Sequence, residues 1–134
     1  MLTYEDGLTA MDWLARAFGF REVTRMLGSD GKLSHGEMIA GLSDGHIMLA
    51  SGPAGYQSPN RLREGYAAAR EWLSVLWVVD GVLVYVDDVD AHFARAKAAG
   101  ATILTEPEDG FPARRYRTED IEGHRWMFML RPRQ

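Results

Sequence analysis

The run Val84-Tyr-Val-Asp-Asp-Val-Asp-Ala-His-Phe-Ala-Arg-Ala-Lys-Ala-Ala-Gly-Ala101 spells a strand, a helix cap, a helix and a stop. Val82, Val84 and Val86 alternate with Leu83 and Tyr85, the period-two pattern of a strand. Asp87 or Asp88 can then accept a free N–H of a helix's first turn. Val89, Phe93 and Ala96 recur at helical spacing, and Gly100 supplies the left-handed residue that ends the helix. The chain has already said this once, in Tyr4-Glu-Asp-Gly-Leu-Thr-Ala-Met-Asp-Trp-Leu-Ala-Arg-Ala-Phe-Gly-Phe20. At one constant offset Tyr4 falls on Tyr85, Asp6 on Asp87, Ala10 on Ala91, Ala15 on Ala96 and Gly19 on Gly100. At an offset three residues shorter, Gly45-His46 falls on Gly123-His124. Two echoes in the same order predict two tandem modules of roughly sixty residues, each a strand, a helix and three further strands.

The 134 residues are long enough for one core and short for two independent ones, so a single domain over 1–134 is expected. Its modules run from about 1 to 51 and 80 to 134, joined by a loop and helix linker over 52–79. A net charge of −4 argues against a nucleic-acid partner, which asks for a basic surface. The absence of cysteine excludes a disulfide scaffold, a thiol nucleophile and a thiolate metal site, and fits a reducing cytoplasm. No basic region followed by an apolar run opens the sequence, and no apolar stretch reaches the roughly 18 residues of a membrane span. A cytoplasmic protein is expected.

In chain order, Met1–Tyr4 reads as a strand, and Asp6 caps a helix with Leu8, Met11, Leu14, Ala15 and Phe18 on one stripe. Strands follow over Phe20–Leu27, Leu33–Gly41 and His46–Ser51, with turns at Gly28–Gly31 and Asp44-Gly45. The third strand puts His35, Glu37 and Ile39 on one face and Gly36 and Met38 on the other. Gly52–Asn60 is a linker by composition. Leu62, Tyr66, Ala69 and Leu73 point to a short helix, and Asp80-Gly81 could close an extra hairpin with Trp77–Val79. Strands at Thr102–Thr105, Ala113–Thr118 and Arg125–Leu130 complete the second module.

Val84-Tyr-Val-Asp-Asp-Val-Asp-Ala together with Asp120-Ile-Glu-Gly-His-Arg-Trp-Met-Phe128 resembles the vicinal oxygen chelate superfamily, which holds glyoxalase I, bleomycin-binding proteins, fosfomycin-resistance proteins and extradiol dioxygenases. The closing motif is most similar to the PhnB-like and glyoxalase-like branch, with Ile121 where that branch has proline. The resemblance covers nearly the whole chain outside Gly52–Trp77. It implies an α+β fold of paired βαβββ modules whose mixed sheets curl into a cup. It does not fix an activity, because this scaffold hosts many chemistries.

In the family's enzymes the cup holds a divalent metal, one ligand lying three residues after the histidine of Gly-His. Carried over, that position is Met127, with Leu49 as its counterpart in the first module. The matching ligands ahead of the helices would fall near Asp80 or Gly81 and at or before Met1. Thioether and aliphatic side chains do not suit a hard divalent ion. No metal or other cofactor is therefore expected, and a divalent metal is the alternative. The same carry-over puts Met127, Met129, Arg125, Ile47 and Leu49 on the cup face, with Tyr4, Leu83, Tyr85 and Tyr116 on its walls. Such a pocket suits an apolar or aromatic small molecule.

Other residues admit plainer readings. His46 and His124 stand at turns before strands, where they cap or bridge the turn. Arg114, Arg115 and Arg117 form an exposed strand face or meet an anionic ligand. His35 and Glu37 are the one metal-competent pair on a strand face. No phosphate loop, nucleophile elbow or nucleic-acid motif appears. Two functions follow: a binding protein that sequesters a small molecule without chemistry, or a lyase, isomerase or dioxygenase-like enzyme with a site rebuilt around His35 and Glu37. Unpaired strand edges, and Trp77 in a segment without an obvious core partner, predict a homodimer.

Overall fold

A computed structural model describes residues 1–42, 45–76 and 80–133. The expected Asp44-Gly45 turn and Trp77–Val79 hairpin arm fall partly or wholly outside the described residues, as does Trp77 itself. The first module is β1 (Leu2–Tyr4), α1 (Gly7–Phe18), β2 (Arg21–Leu27), β3 (Leu33–Ile39) and β4 (His46–Ser51). Two short helices follow, α2 (Pro59–Gly65) and α3 (Ala67–Leu73). The second module is β5 (Val82–Val86), α4 (Val89–Ala98), β6 (Thr102–Glu108), β7 (Arg115–Glu119) and β8 (Arg125–Leu130).

Each module makes its own mixed sheet of four strands, ordered β1-β4-β3-β2 and β5-β8-β7-β6. In both, the first strand runs parallel to the last and the remaining pairs are antiparallel. The α+β architecture and the repeat expected from sequence are present, and the two sheets do not close into one. The strand expected to stop at Thr105 runs on to Glu108, so Pro107 sits in β6, an edge strand where a missing N–H is tolerated.

Local chemistry accounts for the helices. Asp6 and Asp88 accept the Thr9 and Ala91 N–H groups as N-caps, and Gly19 ends α1 at φ 70°. Each helix lies on one face of its sheet, and the two helices touch. The Trp13 indole donates to the Ala99 carbonyl (3.0 Å), and Arg95 donates to the carbonyls of Ala15 and Arg16. Phe18, at the end of α1, lies with ring centroids 4.7 Å from Phe128 and 5.8 Å from Trp126, and Phe20 lies 5.3 Å from Trp126. One aromatic core therefore serves both modules, and the opposite face of each sheet is turned away from it.

The closing motif fastens the modules together. Asp120 Oδ1 collects the N–H groups of Glu122, Gly123 and His124, while Oδ2 accepts from Tyr4 Oη (2.6 Å) and the Trp126 indole (3.1 Å). Glu122 accepts the backbone N–H groups of Glu5 and Asp6, and His124 Nε2 donates to the Thr3 carbonyl (2.6 Å). Gly123, at φ 96°, lies so close to Asn60 that a Cβ would collide with its side chain. His124 thus bridges to the first module, a structural role; His46 instead stands on the open face of the first sheet.

Candidate functional site

The strand pairings assign every side chain to a face, because residues directly opposite one another project to the same side. On the second sheet, Trp126, Phe128, Val84, Val86, Tyr116 and Thr118 face the helices. Leu83, Tyr85, Arg117, Arg125, Met127 and Met129 occupy the open face. There, a pocket of about 280 Å³ is lined by Leu76, Asp80, Gly81, Val82, Leu83, Leu104, Arg117, Arg125, Trp126 and Met127. Leu83 pairs with Met127 across the sheet and is 44% exposed, so this floor is apolar and accessible.

One end of the pocket is fixed by a buried ionic network. Glu119, almost fully buried, accepts from Arg63 of α2 (Nη2 to Oε2, 2.5 Å; Nη1 to Oε1, 3.2 Å) and from Arg125 Nε (3.0 Å). The remaining Arg125 nitrogens donate to the Leu73 and Val75 carbonyls at the end of α3. A cation is well placed against those unsatisfied carbonyls. The α2–α3 hairpin is thereby tied to the open face, with Leu76 reaching the pocket.

The first sheet's open face carries His35, Glu37, His46 and Met48. His35 Nε2 lies 2.9 Å from Glu37 Oε1, and His46 Nδ1 lies 4.0 Å from Glu37 Oε2. Among the described residues, no group of three or more His, Cys, Asp or Glu side chains is disposed to hold a metal ion.

Four residues expected around the cup lie elsewhere. Tyr4, Leu49 and Tyr116 are 0% exposed and project into the helix-side core. Tyr4 is committed to Asp120. Leu49 lies opposite Gly36, whose missing side chain makes room for Met11 of α1. Tyr116 stacks on Phe128 at 5.4 Å and donates to His92 Nδ1 (2.7 Å), while His92 Nε2 donates to the Phe18 carbonyl (3.0 Å). Burial pushes the Tyr4 and Tyr116 hydroxyls upward and lowers His92 to about 4, leaving that imidazole neutral. Ile47, opposite the buried Met38, shares the helix-side face as well.

The cause is a one-residue slip between sequence echo and structural repeat. Helix α1 has 12 residues and α4 has 10, so an ungapped match that centres them is out of step by one at each end. Asp6 therefore corresponds to Asp88, and Tyr4 to Val86. Likewise β4 begins at His46 and β8 at Arg125, one residue beyond His124, so Met127 corresponds to Met48 rather than Leu49. A slip of one exchanges the two faces of a strand. Met127, Leu83 and Tyr85 escape it because they lie on β8 and β5 of the second module, where the family motif itself sets the register. His35 and Glu37 share an open face, on the other sheet. Leu76 and Leu104, which line the pocket, carried no sequence signal; Arg117 did, as one of three neighbouring arginines.

This paired-module architecture, with a pocket on an open sheet face, is that of the vicinal oxygen chelate proteins. The chain belongs to the Glyoxalase/Bleomycin resistance protein/Dioxygenase superfamily, whose family model matches residues 1–128. Mb0911c of Mycobacterium bovis is 34% identical over 131 residues, spanning 93% of this chain and 76% of that protein. The structure of TioX from Micromonospora sp. ML1 is similar at a TM-score of 0.69 and 32% identity, over 99% of this chain and 94% of TioX. TnmS3, an antibiotic binding protein from Streptomyces sp. CB03234, shares the fold at a TM-score of 0.63 and 17% identity, over 98% of this chain and 93% of its own. No helix among the described residues is long and apolar enough to cross a membrane.

Proposed function

We propose that this protein binds an apolar or aromatic organic molecule on the open face of its second sheet, sequestering it without chemical change. The observation that carries the reading is the pocket over Met127: apolar side chains from β5, β6, β8 and the α2–α3 hairpin surround a volume near the small end of ligand sites. TnmS3, an antibiotic binding protein of the same fold, is a precedent for small-molecule binding on this scaffold. Met127 stands where the family's enzymes place a metal ligand, and Met48 at the equivalent point of the first sheet. Methionine thioethers do not fit a hard divalent ion, which disfavours metal-assisted chemistry at this position.

A second copy of the chain is part of the proposal. The open faces present Met48 and Leu83 at 43% and 44% exposure, each on the side of its sheet turned away from the shared core. A homodimer that lays the first sheet of one copy over the second sheet of the other would cover both and close the cup, bringing His35 and Glu37 to its far wall. We place this activity in the cytoplasm, on the lack of cysteine.

The test is equilibrium binding of a panel of polycyclic aromatic antibiotics, followed through quenching of tryptophan fluorescence, with mass spectrometry of the recovered ligand and light scattering of the protein. Saturable binding of an unmodified compound to a particle of twice the 15.0 kDa chain mass is expected. Conversion of the compound, or an absence of binding across the panel, would overturn the reading.

A further inference from the structure

We infer that the ligand of this pocket carries an anionic oxygen group, which the Arg117 guanidinium binds. The inference rests on the ligand-binding reading above and specifies it. Arg114, Arg115 and Arg117 follow closely in sequence, but the fold treats them differently. Arg114 is held between Asp90 (2.8 and 2.9 Å) and Asp109 (3.1 Å). Arg115 donates to the Phe111 carbonyl (2.8 Å). Arg125, the other arginine of the pocket, is spent on Glu119 and on two helix-end carbonyls. Arg117 stands between Met127 on β8 and Thr105 on β6 and lines the pocket half-buried. Its side chain makes no hydrogen bond or ion pair with any described residue. Among the described residues it is the only partly buried arginine of which this is true.

A charge set against apolar surface is costly unless something pairs with it. The planar guanidinium offers a fork of donors that matches a carboxylate, sulfonate or phosphate edge. Asp80, the one carboxylate on the lining, is exposed and makes no ion pair with Arg117, so it does not fill that role. The apolar wall of Leu76, Leu83, Leu104 and Met127 then takes the body of the molecule, and Arg117 fixes one end. The ligand class is an amphiphilic organic anion.

Two dyes with the same rings separate the terms: 8-anilinonaphthalene-1-sulfonate, and its neutral counterpart N-phenyl-1-naphthylamine. The full chain is compared with Arg117→Met and Arg117→Lys, each checked by a thermal melt and by light scattering. The natural protein is expected to prefer the sulfonate by about tenfold, the size of one charge-assisted contact. Arg117→Met should abolish that preference with little change for the neutral dye, and Arg117→Lys should keep part of it. Equal binding of both dyes by the natural protein overturns the inference, as does a preference that survives Arg117→Met. A dimer that dissociates in Arg117→Met while the preference persists assigns the residue to the contact between copies, which also overturns it. If only the neutral dye binds, the pocket reading stands and the anion fails. If neither binds, the pocket reading falls and takes the anion with it.

Discussion

Tyr4 donates a 2.6 Å hydrogen bond to Asp120, joining the first strand of one module to the turn before the last strand of the other. Both residues are buried. Burial pushes the Asp120 carboxyl above the ordinary range, against the pull of its five donors. Tyr4→Phe removes one donor from a buried carboxylate and should cost about 1.5–3 kcal/mol. Asp120→Asn should cost more, because its amide would turn N–H groups toward the Tyr4 hydroxyl and the Trp126 indole. Urea denaturation measures both. A Tyr4→Phe variant as stable as the parent would show that the bond does not hold the modules together.

Much of the fold was legible because period-two strands, aspartate caps and glycine stops are local chemistry, and the closing motif added the topology. The site was less legible. A repeat can be recognised while its register is wrong by one, since two helices of unequal length blur an ungapped match; that slip put Tyr4 and Leu49 on the wrong face. Tyr116 was misplaced for a different reason. Its side depends on lying opposite Phe128, a pairing that no local pattern announces. Leu104 reaches the pocket beside a break in the β6–β7 register, which sequence periodicity cannot foresee.

The corrected register makes its own prediction for two neighbours. Leu49→Lys places a charge in the helix-side core, where an unpaired ion should cost about 3–5 kcal/mol. Met48→Lys points to the open face directly opposite Glu37, and opposite charges across a strand pair help by a fraction of a kcal/mol. Thermal melts should show Leu49→Lys unfolded or strongly weakened and Met48→Lys close to the parent. The reverse order would restore the uncorrected register.

His92 predicts an acid-side loss of stability. Burial lowers it from 6.5 to about 4 in the folded chain, so the unfolded chain binds a proton more readily between those values. Its contribution is complete above about pH 6.5 and declines as the pH falls toward 4, by at most about 3 kcal/mol. His92→Gln can still donate to Phe18 and accept from Tyr116, and it does not titrate. The difference in stability between parent and variant should therefore change across this window and be flat above pH 7. A constant difference from pH 7 to pH 4 would mean that His92 does not carry the dependence.

The Glu119 network predicts that the hairpin and the pocket loosen together. Glu119→Gln weakens the hold on Arg63 and leaves the Arg125 charge buried with only carbonyl partners. Breaking one side of a buried pair costs about 3–5 kcal/mol. Arg61→Gln, which removes the exposed pair with Glu5, should cost under about 1 kcal/mol and serves as the control. Hydrogen exchange should then show α2 and α3 losing protection in Glu119→Gln ahead of the strands, since the α3 end is anchored through Arg125 to the carbonyls of Leu73 and Val75. Dye affinity at the Met127 pocket should fall in the same variant, because Leu76 reaches the pocket only while the hairpin stays down. Full protection of α2 and α3 in Glu119→Gln would mean that apolar contacts alone hold the hairpin, and that the buried charges serve another purpose.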